Sequence, residues 1–77
     1  MPLIKVKNNT KVKLNKIIDC KYLKKKLLDM GLTKGTEFWL LEKTIRGPII
    51  IKVRESRLAL GRSIAEKIDV DIVKDNE

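Results

Sequence analysis

Residues 23–36 read Leu-Lys-Lys-Lys-Leu-Leu-Asp-Met-Gly-Leu-Thr-Lys-Gly-Thr, and this stretch decides the fold. Leu23, Leu27 and Met30 recur at i, i+4 and i+7, which lays one apolar stripe along a helix over residues 22–30. Lys24, Lys25 and Lys26 spread over its other faces. Gly31 supplies the left-handed residue that ends a helix, and Leu32 can fold back on Leu27 as the contact of a Schellman stop. Asp19 is the expected N-cap. Lys34-Gly35 then reads as a turn, with a strand to follow.

Outward from that helix the pattern changes from period 3.6 to period 2. Before it, residues 11–18 read Lys-Val-Lys-Leu-Asn-Lys-Ile-Ile. Val12 and Leu14 point one way and Lys11 and Lys13 the other, as in a half-buried strand. Asn8-Asn9 marks a turn ahead of it, because asparagine tolerates positive φ. After the helix, residues 36–43 form a strand with Phe38 and Leu40 on one face and Trp39 and Leu41 on the other. Arg46-Gly47-Pro48 breaks the chain. Residues 49–54 are strongly β-branched, with Ile49, Ile51 and Val53 opposite Ile50, Lys52 and Arg54. A link at Glu55-Ser56 leads to a short strand over residues 57–60, with Leu58 and Leu60 together. Ser63-Ile64-Ala65-Glu66 fits a capping box, so a short helix is expected to begin at Ser63. Residues 70–73 complete the series before a polar tail.

The order is β, α, three β, a short helix and a last β. A chain of 77 residues has room for one core. Nothing marks a domain boundary, so residues 1–77 are expected to be a single domain with its core at about 3–73. Many short strands, tight turns and too few residues for two sheets predict a mainly β fold with short helices, a small SH3-like β-barrel. Closure would also remove the edges of such β-branched strands.

Composition excludes several chemistries. The chain has no histidine and one cysteine. It therefore lacks an imidazole base, a Ser/His or Cys/His pair and any His-ligated metal site. Cys20 can form neither an internal disulfide nor a CxxC site, and with no base beside it reads as an inert thiol in a reducing compartment. No uncharged run exceeds the five residues 47–51, so neither a membrane-spanning helix nor a signal peptide is expected. A non-enzymatic cytoplasmic protein, free of cofactors, is the expectation.

The net charge of +8 is unevenly placed. Residues 1–34 hold ten lysines against Asp19 and Asp29, whereas residues 35–77 balance eight basic groups with eight acidic ones. All four arginines lie in the neutral half. The excess is thus lysine alone, a hydrated point charge rather than the arginine fork suited to bidentate recognition. It serves either as a solvated surface or as a face for acidic protein, anionic headgroups or nucleic acid.

The quoted stretch resembles the signature of the bacterial ferrous iron transport protein A family (FeoA): a basic helix with a leucine stripe, a Met-Gly-Leu stop, a short turn and a glycine. Gly47-Pro48 before an apolar strand, Arg57-Leu-Ala-Leu60 and the segment from Ala65 to Ile68 continue the likeness across residues 3–73. Lys34 stands where the family usually has proline, and Asn8-Asn9 where it has glycine. Both replacements suit a turn. The resemblance implies a cytosolic SH3-like barrel beside a membrane-embedded transporter, ferrous iron transport protein B, which carries a GTP-hydrolysing domain. It brings no catalytic residues. Similar domains end metal-dependent regulators, but no helix-turn-helix is present here.

Three candidate contact sites emerge. The first is the helix cluster Lys21, Lys24, Lys25 and Lys26, which either is a solvated face or docks on the transporter or on an anionic membrane surface. Trp39 is the second, a hot-spot residue type that serves equally well in a core. Arg46 is the third, in the exposed loop 44–48, and with Arg54 it is a candidate arginine finger. No tight ferrous iron site is expected, since histidine is missing and oxygen ligands alone do not select iron over magnesium or calcium. The competing function is a small basic barrel that binds nucleic acid. Against it stands the 4% aromatic content, too sparse for a row of stacking side chains, and no specific nucleic acid is expected.

Overall fold

A computed structural model describes residues 1–18 and 21–74, with Tyr22 described by its backbone. The roles expected of Asp19 and Cys20 lie outside the described residues. Five strands form one antiparallel sheet: β1 (Thr10–Ile17), β2 (Glu37–Lys43), β3 (Ile49–Val53), β4 (Ser56–Leu60) and β5 (Ile68–Ile72). Helix α1 (Lys21–Asp29) connects β1 to β2, and α2 (Arg62–Ala65) connects β4 to β5. The sheet order is β4-β3-β2-β1-β5. The SH3-like strand sequence is therefore present, but the ladder is open. Among the described residues β4 and β5 are its two ends, and no pairing joins them into a closed barrel.

The alternation seen in the sequence sets which side of each strand is covered. Val12, Leu14, Phe38, Leu40, Ile49, Ile51, Val53, Leu60, Ile68 and Val70 are all buried in one cluster. Each fully buried side chain of this size contributes about 1.5–3 kcal/mol. Phe38 rather than Trp39 faces inward, which settles the ambiguity of β2. Two bulges bend the sheet. One lies at Asn15, where the β1–β5 register shifts between Leu14 and Lys16. The other lies at Leu41, where the β2–β3 register shifts between Leu40 and Glu42. An extra residue at such a point increases the local twist and re-aims its side chain.

The helix stop is built as the sequence implied. Gly31 adopts φ +87°, Gly31 N–H donates to Leu28 O at 2.9 Å, and Leu32 N–H donates to Leu27 O at 2.8 Å. Those two bonds define a Schellman motif, and they carry Leu32 into the core beside Leu27. Gly35 at φ +90° and the Thr36 N–H bond to Thr33 O at 3.0 Å then make a turn whose third residue needs glycine. Lys34 occupies the second position of that turn, where proline is also accommodated.

Three details depart from expectation. A 3-10 helix at Leu3–Lys5 carries buried Leu3, with buried Val6 just beyond it. The capping box at Ser63 does not form. Gly61 is the N-cap of α2, with extended backbone and no side-chain cap, so Ser63 lies inside the helix and Glu66 at its end. Arg54-Glu55, not Glu55-Ser56, makes the β3–β4 turn, with Arg54 at φ +57° and Val53 paired to Ser56.

Candidate functional site

Helix α1 presses Leu23 and Leu27 into the core and turns Lys21, Lys24, Lys25 and Lys26 to solvent. None of these lysines has a carboxylate within ion-pair range among the described residues, where the ion pairs are Met1–Asp69 and Lys11–Glu37. The helix also leaves Leu28 53% exposed. One exposed leucine is ordinary on a protein surface; what sets Leu28 apart is that it borders a groove.

Between α1 and β1 runs an open groove of about 280 Å³. Leu14 and Leu32 are buried beneath it, Ile17 and Leu28 line it closer to solvent, and Lys16, Lys24 and Lys34 complete the lining. The turn of residues 33–36 supports one side. Thr33 N–H donates to Thr36 Oγ1 at 3.1 Å, and the two threonine hydroxyls lie 3.0 Å apart. Leu14 is tied to the same turn through Leu14 N–H to Thr36 O and Gly35 N–H to Leu14 O, each 2.8 Å.

Trp39 occupies a different surface. It is 40% exposed on the outer face of β2, with Lys11 opposite it on β1 and Lys52 opposite it on β3. Lys52 in turn faces Arg57 on β4. Lys11 is partly engaged by Glu37 at 3.3 Å.

Arg46 lies on a third surface, the loop between β2 and β3. That loop is held by Thr44 Oγ1 donating to Pro48 O at 3.2 Å and by Arg62 Nη1 donating to Thr44 O at 2.6 Å. A Cβ on Gly47 would meet the Thr44 hydroxyl, so a substitution there would turn Thr44 away from Pro48 O. Ile45 beside Arg46 is 90% exposed. The other arginine-finger candidate, Arg54, sits elsewhere, its guanidinium 3.8 Å from the place a Cβ on Gly31 would take. A cation at the carboxyl end of α1 is favoured by the helix dipole.

The sequence-predicted site residues therefore fall on three separate pieces of the molecule. Of the lysine cluster only Lys24 lines the groove beside Leu28; Lys21, Lys25 and Lys26 are exposed elsewhere on the helix, and Trp39 and Arg46 stand apart from it. Leu28, Lys16 and Lys34 were missed by sequence reasoning. The signal available for Leu28 was its place outside the Leu23–Leu27–Met30 stripe.

Among the described residues Asp69 is the carboxylate whose side chain has two hydrogen-bond partners. It accepts from the Met1 amino group at 2.7 Å and from Asn15 Nδ2 at 2.7 Å. Those hydrogen bonds, the amino group's first, hold its carboxyl below the usual carboxylate range. Both its oxygens are thus occupied, although Asp69 and Asp71 share the outer face of β5. Among the described residues no group of three or more His, Cys, Asp or Glu side chains is placed to hold a metal ion. Nor is any described helix long and apolar enough to cross a membrane.

Comparison with known proteins gives one family. The model of the FeoA domain matches residues 1–72. A crystal structure of an iron uptake regulatory protein, FeoA, is 33% identical with a TM-score of 0.84, covering 94% of this chain and 95% of that one. The FeoA-like protein from Clostridium acetobutylicum is 29% identical with a TM-score of 0.84, covering 100% and 91%. The FeoA of Stenotrophomonas maltophilia, a prokaryotic SH3 domain protein complexed with zinc, is 25% identical with a TM-score of 0.79, covering 92% and 89%. No curated protein sequence matches the chain.

Proposed function

The chain belongs to the FeoA domain family, which ties it to ferrous iron transport, and from that premise we propose that it docks on a membrane ferrous iron transporter and modulates it. Its role is that of a non-catalytic accessory protein at the cytoplasmic face, and its partner is the GTPase-bearing ferrous iron transport protein B. The observation that carries the docking surface is the exposed face of α1, where Lys21, Lys24 and Lys25 lie one or two turns from an exposed Leu28 on the same side of the helix, with Lys26 exposed on its other flank. Unpaired lysines attract an acidic surface over about a Debye length, roughly 8–10 Å at physiological salt, and the leucine adds a contact that salt does not screen. An anionic membrane near the transporter strengthens the same encounter.

Co-purification from detergent-solubilised native membranes, with this protein as bait, tests the reading. Recovery of the ferrous iron transporter, reduced by salt and by Lys24→Glu, Lys25→Glu and Lys26→Glu together, is the expected result. Recovery undiminished by that triple change at low salt would contradict the α1 face. No stimulation of the purified GTPase domain in a hydrolysis assay would remove Arg46 as an arginine finger without touching the docking itself.

A second reading has one observation in its favour. Trp39 stands exposed with Lys11 and Lys52 in register on either side, an arrangement that stacks a base and neutralises neighbouring phosphates. It is weakened by the Glu37 carboxylate on Lys11 and by the burial of Phe38. Steeply salt-dependent binding of an oligonucleotide, lost in Trp39→Ala, would favour it.

A further inference from the structure

The groove between α1 and β1 combines an apolar lining, unpaired cations and a free strand edge. The lining is Leu14 and Leu32 at depth with Ile17 and the half-exposed Leu28 above them. The cations are Lys16, Lys24 and Lys34, all exposed and with no carboxylate at ion-pair distance among the described residues; Lys16 lies across from Asp69 of β5 and its charge helps to lower that carboxyl. The edge belongs to β1. Strand β2 pairs with β1 only from Thr10 to Lys13, and the turn of residues 33–36 takes up Leu14. Beyond Leu14 this side of β1 has no strand partner among the described residues, while β5 continues along its other side as far as Ile17.

We infer that this groove binds an extended acidic segment of the docking partner, added as a short antiparallel or parallel strand beside residues 15–17. The inference rests on the docking reading above, since the segment belongs to that partner. Strand addition satisfies the backbone groups of an unpaired edge, and side-chain pockets beside it select the sequence. Successive residues of the added strand point to opposite faces of the sheet. Apolar residues of the segment pack toward Ile17 and Leu28, and the intervening carboxylates meet Lys16, with Lys24 and Lys34 taking further negative charge. A phosphodiester or a lipid headgroup would satisfy the lysines, but neither offers the amides and carbonyls that a strand edge matches. Only a peptide uses all three features.

The test is a titration of the full-length, nitrogen-15-labelled protein with a capped heptapeptide alternating glutamate or aspartate with leucine, valine and isoleucine. A control peptide carries lysine at every acidic position, and an oligothymidylate and an anionic phosphatidylglycerol vesicle are titrated in parallel. The acidic peptide is expected to shift the amides of residues 15–17, 28 and 32–34. Its affinity should fall about threefold for each of Lys16→Glu and Lys24→Glu, and more for Leu28→Asp. Equal shifts from the lysine peptide, shifts spread evenly to Lys5 and Lys7, or stronger binding of the oligonucleotide or vesicle at these same amides would overturn the inference. Co-purification with the transporter, run alongside, separates the two claims. Capture of the transporter with no peptide shifts overturns the groove alone, whereas failure of the wild-type protein to capture it overturns the docking reading and, with it, the assignment of the segment.

Discussion

Strand β3 and helix α1 are both short amphipathic elements, and they use their apolar residues differently. In β3 the inward side chains Ile49, Ile51 and Val53 are all buried. In α1 Leu23 and Leu27 are buried but Leu28 is left 53% exposed beside lysines that have no ion pair among the described residues. On its outer face β3 keeps a half-buried Ile50, whereas α1 leaves a leucine more than half exposed. The charge follows the same division: the neutral half from residue 35 onward supplies β2, β3, β4 and β5, while the +8 of residues 1–34 lies on β1, α1 and their flanks. Both halves supply the core, Val12, Leu14, Leu23, Leu27 and Leu32 coming from the first, but only the first carries excess charge, and substitutions should sort by face rather than by position along the chain.

The largest effect is expected in β3. Ile51→Ala removes a fully buried side chain and should cost about 2–5 kcal/mol in urea unfolding. A loss under about 1 kcal/mol would mean that β3 is not the core element the contrast requires. Next comes the joint between the two regions. Gly31→Ala forces a Cβ into φ +87° and should cost about 1–2 kcal/mol, wholly from backbone strain, since the nearest atom to the new Cβ is 3.8 Å away. Gly31→Asn should recover part of that loss, because asparagine adopts the left-handed conformation more readily. Leu28→Ala sharpens the comparison from the other side. Its unfolding free energy should change by no more than about 0.5 kcal/mol, while capture of the transporter falls.

The smallest effect concerns pH. Asp69 has its carboxyl lowered by hydrogen bonds from the Met1 amino group and Asn15. A lowered native value means that the unfolded chain takes up the proton first. The stabilisation is therefore complete above the ordinary value near 3.8 and disappears as pH falls through the native one. Asn15→Ala should lower stability by a small constant amount across the neutral range and flatten its slope against pH below that value, so that the two proteins converge in acid. An equal loss of slope at neutral pH would point to some other group.

Much of this division was legible in the residues. Alternation in β1 and β3 assigned the buried faces correctly because a one-residue error in a period of two reverses every side chain. The Gly31-Leu32 stop was readable because only a left-handed residue followed by an apolar one closes a helix in that way. Trp39 and Phe38 could not be separated by pattern, since β2 carries apolar weight on both faces; the packing of Phe38 under the sheet decided it. The 3-10 helix at Leu3–Lys5 is too short to show a period. At Ser63 a local capping signal lost to the extended backbone of Gly61, which starts α2 earlier. The groove was invisible for a different reason. It depends on where β2 stops pairing with β1, and on Lys16, Lys24 and Lys34 converging from three different elements, neither of which is written in any one stretch of sequence.

On the proposed docking, the outer face of α1 is left out of the core for contact with the transporter. One paired measurement on the triple variant Lys24→Glu, Lys25→Glu, Lys26→Glu tests it most directly: thermal unfolding alongside titration onto the purified, detergent-solubilised ferrous iron transporter. An unfolding midpoint at or above that of the unsubstituted protein is expected, because like charges are relieved, together with loss of transporter binding. Binding that survives the reversal at low salt, in a variant that melts normally, would contradict it.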